Sequence, residues 1–297
     1  MRIRLAENFR AVFYAPFYAA HALGFYEREG VELELVGSPA PAAAAPALLD
    51  GTIDLTWGGP MRVMKARDAE PGSGLMCFCE VVTCDPFFLV GHGRRRGHEF
   101  RLTELSSLKF AKVSEVPTPW LCLQLDLREQ GLDPARLDCA PDSTMRNNLE
   151  KLRRGELDVV QLFEPYASLA VKEGAGEILY AASARGPTSY TTFLATRDAI
   201  ERNRDAFMAM TRGIRHMQRW IGEYGGEDLA QVTAGFYPDV GPQILAAALA
   251  RYRDAGLWGQ TTAVSFSGFA RLAESLLAGG FISRRPVYED CVEQSLC

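Results

Sequence analysis

Leu152-Arg-Arg-Gly-Glu-Leu-Asp-Val-Val-Gln-Leu-Phe-Glu-Pro-Tyr166 decides the fold, because it has a counterpart earlier in the chain, Leu48-Leu-Asp-Gly-Thr-Ile-Asp-Leu-Thr-Trp-Gly-Gly-Pro60. In each, a glycine (Gly155, Gly51) stands where a helix ends, a position that favours a left-handed residue. Each then runs β-apolar, Asp, β-apolar into a short strand: Leu157-Asp158-Val159 and Ile53-Asp54-Leu55. Each closes on an aromatic and a proline, and proline suits the first turn of a new helix. Both read helix, glycine, strand, turn, helix, which is part of a parallel α/β unit. Two such units in corresponding places predict two similar lobes. Ligands of open α/β sheets sit outside the carboxyl ends of the strands. Trp57-Gly-Gly-Pro60 and Phe163-Glu-Pro-Tyr166 are therefore expected at the mouths of two sheets.

Working outward, residues 2–7 read as a first strand, Pro16–Tyr26 as a helix and Val31–Val36 as a second strand with period-two alternation. Residues 38–47 read as a loop with a short alanine-rich helix, followed by the first motif and a helix from Pro60 to Ala69. Leu75–Val82 and Asp85–Val90 read as buried strands. Gly91-His-Gly-Arg-Arg-Arg-Gly-His98 has neither the dinucleotide nor the P-loop spacing and reads as a solvated hairpin tip. A second βα series follows: a strand at 108–113, a helix to Gln130, a strand near 136–140, a helix from Asp142 to Arg154, then the second motif. Strands at 178–182 and entering Ala195 precede an all-helical remainder, in which Phe207, Met210, Ile214, Met217 and Ile221 make a core-packing stripe. The expected organisation is a discontinuous lobe one (1–85 and 190–297) and an inserted lobe two (86–189). Two chain crossings between them form a hinge.

The 297 residues carry a formal net charge of −5, which disfavours a nucleic-acid partner. No apolar run is long enough for membrane insertion. Met1-Arg-Ile-Arg-Leu-Ala6 lacks the features of a secretory leader, and the seven cysteines (77, 79, 84, 122, 139, 291, 297) suit a reduced compartment. The chain as it stands reads as cytoplasmic, or as periplasmic or lipid-anchored if a leader was removed. Cys77 and Cys79 are expected as small buried hydrophobes on opposite sides of their strand. His21, His92, His98 and His216 are scattered without metal-ligand spacing, so neither metal nor cofactor is expected.

The candidate site collects residues at strand ends. Phe9, Phe13, Tyr14, Trp57, Trp120, Phe163, Tyr166 and Tyr190 wall an apolar cavity or pack the core. Ser114, Thr118, Ser143, Thr144, Ser189 and Thr191 offer hydroxyls to an anion or cap helices, with capping favoured for Ser143 and Thr144. Glu164 accepts from a ligand amine or ring nitrogen, or caps the helix after Pro165. Arg10 and Arg62 clamp a carboxylate or sulfonate, or lie on the surface. Asn8, Gly58 and Asp85 complete the predicted ligand-binding set.

The run Asn8-Phe-Arg…Tyr14-Ala-Pro-Phe-Tyr-Ala-Ala-His-Ala-Leu-Gly-Phe-Tyr26, with Glu29-Gly-Val-Glu-Leu-Glu-Leu35, resembles the opening of periplasmic binding proteins for nitrate, sulfonate, taurine and thiamine-pyrimidine precursors. Leu48–Asp54, Asp85-Pro-Phe87 and Leu152–Tyr166 match that family's later landmarks in order, over about residues 3–200. The resemblance implies a type II two-lobed fold that encloses a small organic ligand, aromatic, heterocyclic or anionic, and delivers it to an ABC permease. An alternative is a cytosolic enzyme on the same scaffold, a decarboxylase, a lyase or a pyrimidine-synthase-like protein; a third is a ligand sensor. The pyrimidine synthase branch carries a lysine and a histidine where this chain has about Gly58 and Arg62, and the desulfinase branch an early cysteine where this chain has none before Cys77. Those departures weigh against an enzyme.

Overall fold

The computed structural model describes residues 1–37, 44–93 and 99–297. The chain opens β1 (Arg2–Ala6), α1 (Ala15–Ala22), α2 (Phe25–Arg28), β2 (Glu32–Val36), α3 (Ala44–Leu49), β3 (Leu55–Gly58), α4 (Met61–Ala69) and β4 (Leu75–Val82). It continues β5 (Phe88–His92), β6 (Phe110–Ala111), α5 (Thr118–Glu129), α6 (Met145–Arg153), β7 (Val159–Leu162), α7 (Tyr166–Lys172), β8 (Gly176–Ala181) and β9 (Thr191–Thr196). The helical remainder is α8 (Arg197–Glu223), α9 (Gly226–Thr233), α10 (Pro242–Asp254), α11 (Phe266–Ala278) and α12 (Tyr288–Cys291).

Two sheets result, ordered β2-β1-β3-β9-β4 and β6-β7-β5-β8. In the first, β1 runs parallel to β2 and β3, while β9 lies antiparallel between β3 and β4. In the second, β7 runs parallel to β6 and antiparallel to β5, which is antiparallel to β8. The chain leaves the first sheet after Val82 and returns to it at Thr191.

The two motifs do the same work in the two sheets. Gly51 and Gly155 are left-handed, with φ of 75° and 69°. Asp54 donates its N–H to the Arg4 carbonyl (3.0 Å), and its Oδ2 accepts from the Arg4 N–H (2.9 Å). Asp158 donates to the Lys109 carbonyl (3.0 Å) and accepts from the Lys109 N–H (2.8 Å). Each aspartate thus closes a reciprocal pair with the neighbouring parallel strand and fixes its register just before the ladder begins. Both motif prolines stand one residue before their helices: α4 follows Pro60 and α7 follows Pro165.

Two local expectations change, and a third is met for a different reason. The helix expected over Pro16–Tyr26 is two, because Gly24 takes a left-handed φ of 68° between them. The strand expected near 136–140 is a turn at Pro134–Arg136 plus a single bridge from Cys139 to Phe110, since β6 is only two residues long and has no further ladder to offer. Cys77 and Cys79 do enter different core clusters, although residues two apart share a face in a regular strand. A bulge turns the chain there, with Cys79 at φ 54°. The α8 stripe is buried as expected. The alanine-rich helix is α3, while residues 38–43 of the preceding loop and 94–98 of the arginine-rich turn lie outside the described residues. Among the described residues, no helix is long and apolar enough to cross a membrane.

Candidate functional site

The loops that leave the carboxyl ends of β1, β3, β6 and β7 converge between the two sheets, together with Tyr190 on the returning crossing. They enclose two chambers. The first, about 280 Å3, is lined by Asn8, Phe9, Phe13 and Tyr14 after β1, Gly59, Met61 and Arg62 after β3, Glu115 to Thr118 after β6, and Tyr190 and Phe281. The second, about 670 Å3, shares Phe9, Glu115 and Val116 with it. Its other walls include Phe163, Tyr166 and Leu169 from one side and Phe236 to Val240 from the other.

Arg62 is the electrostatic centre of the first chamber. Its Nη2 donates to Asn8 Oδ1 (3.0 Å), and Asn8 Nδ2 donates in turn to Tyr14 Oη (3.2 Å). Among the described residues no carboxylate pairs with Arg62. Burial lowers its pKa below the ordinary guanidinium range, although it remains charged at neutral pH. Burial also pushes the Tyr14 phenol up to about 12, so this tyrosine stays protonated. Arg10 is the contrasting case: its Nη2 and Nε donate to Glu7 (2.7 and 3.2 Å), and that pairing raises its pKa. Arg10 is neutralised before any ligand arrives, whereas Arg62 is not.

Two helix N-termini reinforce Arg62. α4 begins at Met61 after Pro60, α5 begins at Thr118 after Pro117, and neither has a side-chain cap. Both starts line the first chamber, one from each sheet's loops. Uncapped N-termini carry partial positive charge and free N–H groups. A cation with two dipole ends and aromatic walls is an arrangement for a ligand with a negative head. Glu115 stands at the rim, exposed, with Oε2 accepting from the Met145 N–H at the start of α6 (2.8 Å).

The aromatic walls touch across the two sides. Phe13 meets Phe163 edge-on at 5.6 Å and Tyr190 at 6.0 Å, and Phe9 lies 6.5 Å from Phe163. Such edge-to-face contacts add to simple area burial.

Of the predicted residues, Asn8, Phe9, Tyr14, Arg62, Thr118 and Tyr190 meet at the first chamber, and Arg10, Phe163 and Tyr166 line the second. Others stand elsewhere. Trp57 is 1% exposed and stacks on Phe17 at 4.8 Å, in the core behind Tyr14. Trp120 packs on Phe110 in the outer core of the second sheet. Glu164 is fully buried: Oε2 caps the Ser168 N–H of α7 (2.9 Å), and Oε1 pairs with Arg251 (2.5 Å). Capping, one of its two expected roles, is therefore the one it fills. Asp85 is buried in an ion pair with Arg185 (2.6 Å), which also binds Asp126. Ser114 is exposed and donates to the Ser143 carbonyl, while Thr144 caps α6. Ser189 and Thr191 are fully buried and line neither chamber. Gly58 lies beneath the Arg62 side chain, where a Cβ would come within 3.2 Å of Leu194 and 3.4 Å of Arg62 Nε. Its lack of a side chain lets Arg62 cross it.

Sequence reasoning missed Glu115, Val116 and Pro117 as lining residues, although they sit inside the loop Ser114–Trp120 that it singled out. It also missed Phe236-Tyr-Pro-Asp-Val240, a turn between helices whose only signal is two aromatics followed by a proline.

This two-sheet arrangement, with a cleft at the strand ends crossed twice by the chain, is the two-lobed fold of periplasmic binding proteins. The chain belongs to the NMT1-like family, whose profile matches residues 95–265. It is 24% identical over 254 residues to YtlA of Bacillus subtilis (strain 168), named as a binding protein, covering 85% of this chain and 75% of that one. Among solved structures it is similar to the periplasmic aliphatic sulphonate binding protein SsuA from Escherichia coli, with a TM-score of 0.77, 18% identity, and 99% and 98% of the two chains covered. The periplasmic nitrate-binding protein NrtA from Synechocystis PCC 6803 aligns with a TM-score of 0.71 and 12% identity, over 99% of this chain and 86% of that one. At these identities the structural likeness establishes the fold.

Proposed function

We propose that this protein is a substrate-binding protein of the ABC-importer type that captures a small organic anion between its lobes and releases it unchanged. The observation that carries this reading is Arg62, a half-buried cation without a carboxylate partner among the described residues, set among two uncapped helix starts and aromatic walls. An anionic head supplies the missing counter-charge, and the rings exchange water for contact with the ligand. The two structural neighbours named above, a sulphonate binder and a nitrate binder, point to the same ligand charge.

Lobe one is residues 1–85 and 190–297, lobe two is 86–189, and the crossings between β4 and β5 and between β8 and β9 act as the hinge. Closure brings the α5 start of one lobe toward the α4 start of the other. The partner is an ABC permease, and the site of action is the outer side of the membrane it spans. A thermal-shift screen over nitrate, alkanesulfonates, aryl carboxylates and pyrimidines tests the reading, because a ligand that binds only the folded state raises Tm by mass action. Anions should shift Tm and neutral pyrimidines should not. Recovery of a chemically altered ligand after incubation would overturn binding without turnover.

A further inference from the structure

We infer that the ligand is an extended monoanion, with its head on Arg62 and an uncharged ring-bearing body that passes Phe9 into the second chamber. This rests on the anion reading above and deepens it. A bare oxyanion needs only two or three water volumes, on the order of 60–90 Å3 at about 30 Å3 per water. The first chamber alone offers about 280 Å3 and the second about 670 Å3. They adjoin at Phe9, Glu115 and Val116, which line both.

The two ends differ in chemistry. The head end holds the unpaired guanidinium and the helix starts. Beyond Phe9 the walls include Phe163, Tyr166, Leu169 and Val240, with the Phe163 and Tyr166 rings 6.0 Å apart and tilted by 51°. That spacing and tilt present both a face and an edge to a third ring. The charged side chains lining the second chamber, Arg10, Glu115, Arg146 and Asp239, are two of each sign, so it offers no excess positive charge to a second anionic group. The space therefore fits an aryl or arylalkyl carboxylate or sulfonate better than an inorganic anion or a dianion.

The experiment is isothermal titration calorimetry of the full chain with benzoate, 3-phenylpropionate and 5-phenylvalerate, beside nitrate and sulfate. Affinity should rise about fourfold for each added methylene that is buried. Leu169→Trp narrows the second chamber. It should flatten the series at its long end and leave benzoate within about twofold of the native protein. Val240→Phe is the second variant, with melting temperature as the folding check for both. Equal affinity for benzoate and 5-phenylvalerate in the native protein overturns the proposal without any variant. So does a Leu169→Trp protein that folds and weakens every member alike. If the anions bind through Arg62 but length makes no difference, only the extended body fails. If no anion binds, or Arg62→Met leaves every affinity intact, the anion reading fails and takes this inference with it.

Discussion

Replacing Arg62 with methionine separates a ligand role from a structural one, because the two predict effects on different states. Methionine keeps an unbranched apolar side chain and removes only the guanidinium. In the unliganded protein the change loses one hydrogen bond, to Asn8 at 3.0 Å, and leaves Asn8 Oδ1 without that donor. A bond of this kind contributes about 1 kcal/mol net. Against it stands the relief of a half-buried cation with no carboxylate partner among the described residues, whose lowered pKa records the cost of partial burial. The two nearly cancel, so unliganded stability should move by no more than about 1 kcal/mol.

The liganded protein should behave differently. Charge-assisted hydrogen bonds are worth about 1.5–3 kcal/mol each, and a bidentate head makes two. Their loss weakens binding by roughly a thousandfold, at about 1.4 kcal/mol per factor of ten. Ligand at about a hundred times Kd stabilises the native protein by roughly 2.7 kcal/mol, a shift of about 4 °C in a chain of this size. In Arg62→Met at the same ligand concentration that shift should vanish while the unliganded Tm stays in place. Differential scanning fluorimetry with and without ligand reads both quantities. A variant that keeps the full shift, or that loses more than about 3 kcal/mol without ligand, would refute the assignment.

Glu80 predicts a pH dependence away from the cleft. It is 1% exposed, Oε2 accepts from the Ser265 N–H (3.0 Å), and burial raises its pKa from 4.5 to about 7. The folded state therefore holds this proton more tightly than the unfolded state. Its contribution to stability should fall by about 3 kcal/mol as pH rises from 4.5 to 7, and Glu80→Gln should remove that decline in urea titrations at the two ends of the window. Arg185→Met should cost about 3–5 kcal/mol, because it leaves Asp85 and Asp126 buried without their shared partner. A loss below 1 kcal/mol in chemical denaturation would show that the pair is dispensable. Trp57→Ala should cost about 3–5 kcal/mol by opening a cavity against Phe17. A well-folded Trp57→Ala protein with a selective loss of ligand binding would return Trp57 to the site.

Most of the fold was legible because its signals are local. A glycine after a helix, an apolar–Asp–apolar strand start and a proline before the next helix each act within a few residues, and their repetition revealed two similar units. Strand β4 was readable to the residue for the same reason. Errors fell where a partner outside the segment decides. The 136–140 segment is apolar enough for a strand, but β6 ends after two residues. Cys77 and Cys79 do lie on opposite sides as expected, but through the bulge in the ladder with β9 and not through regular alternation.

The candidate site was legible in part. Residues such as Asn8, Tyr14 and Arg62 follow directly from strand ends, and the chamber forms at those ends. Trp57 and Phe163 are the aromatics near the ends of the two motifs, yet Phe163 lies just past β7 and faces a chamber, while Trp57 lies within β3 and is sealed behind Phe17 and Tyr14. Arg10 and Arg62 are equally basic in sequence, but Glu7 claims the first and no carboxylate among the described residues claims the second.

The sequence by itself determined the two α/β units and the strand ends from which the cleft is built, because hydrophobic periodicity, glycine φ and proline geometry operate along the chain. Only the tertiary structure decided which ionisable groups are already paired, as Glu164 is by Arg251 and Asp85 by Arg185, and which remain available to a ligand. Charge neutralisation and burial act through space between residues far apart in the chain, and no local pattern encodes them.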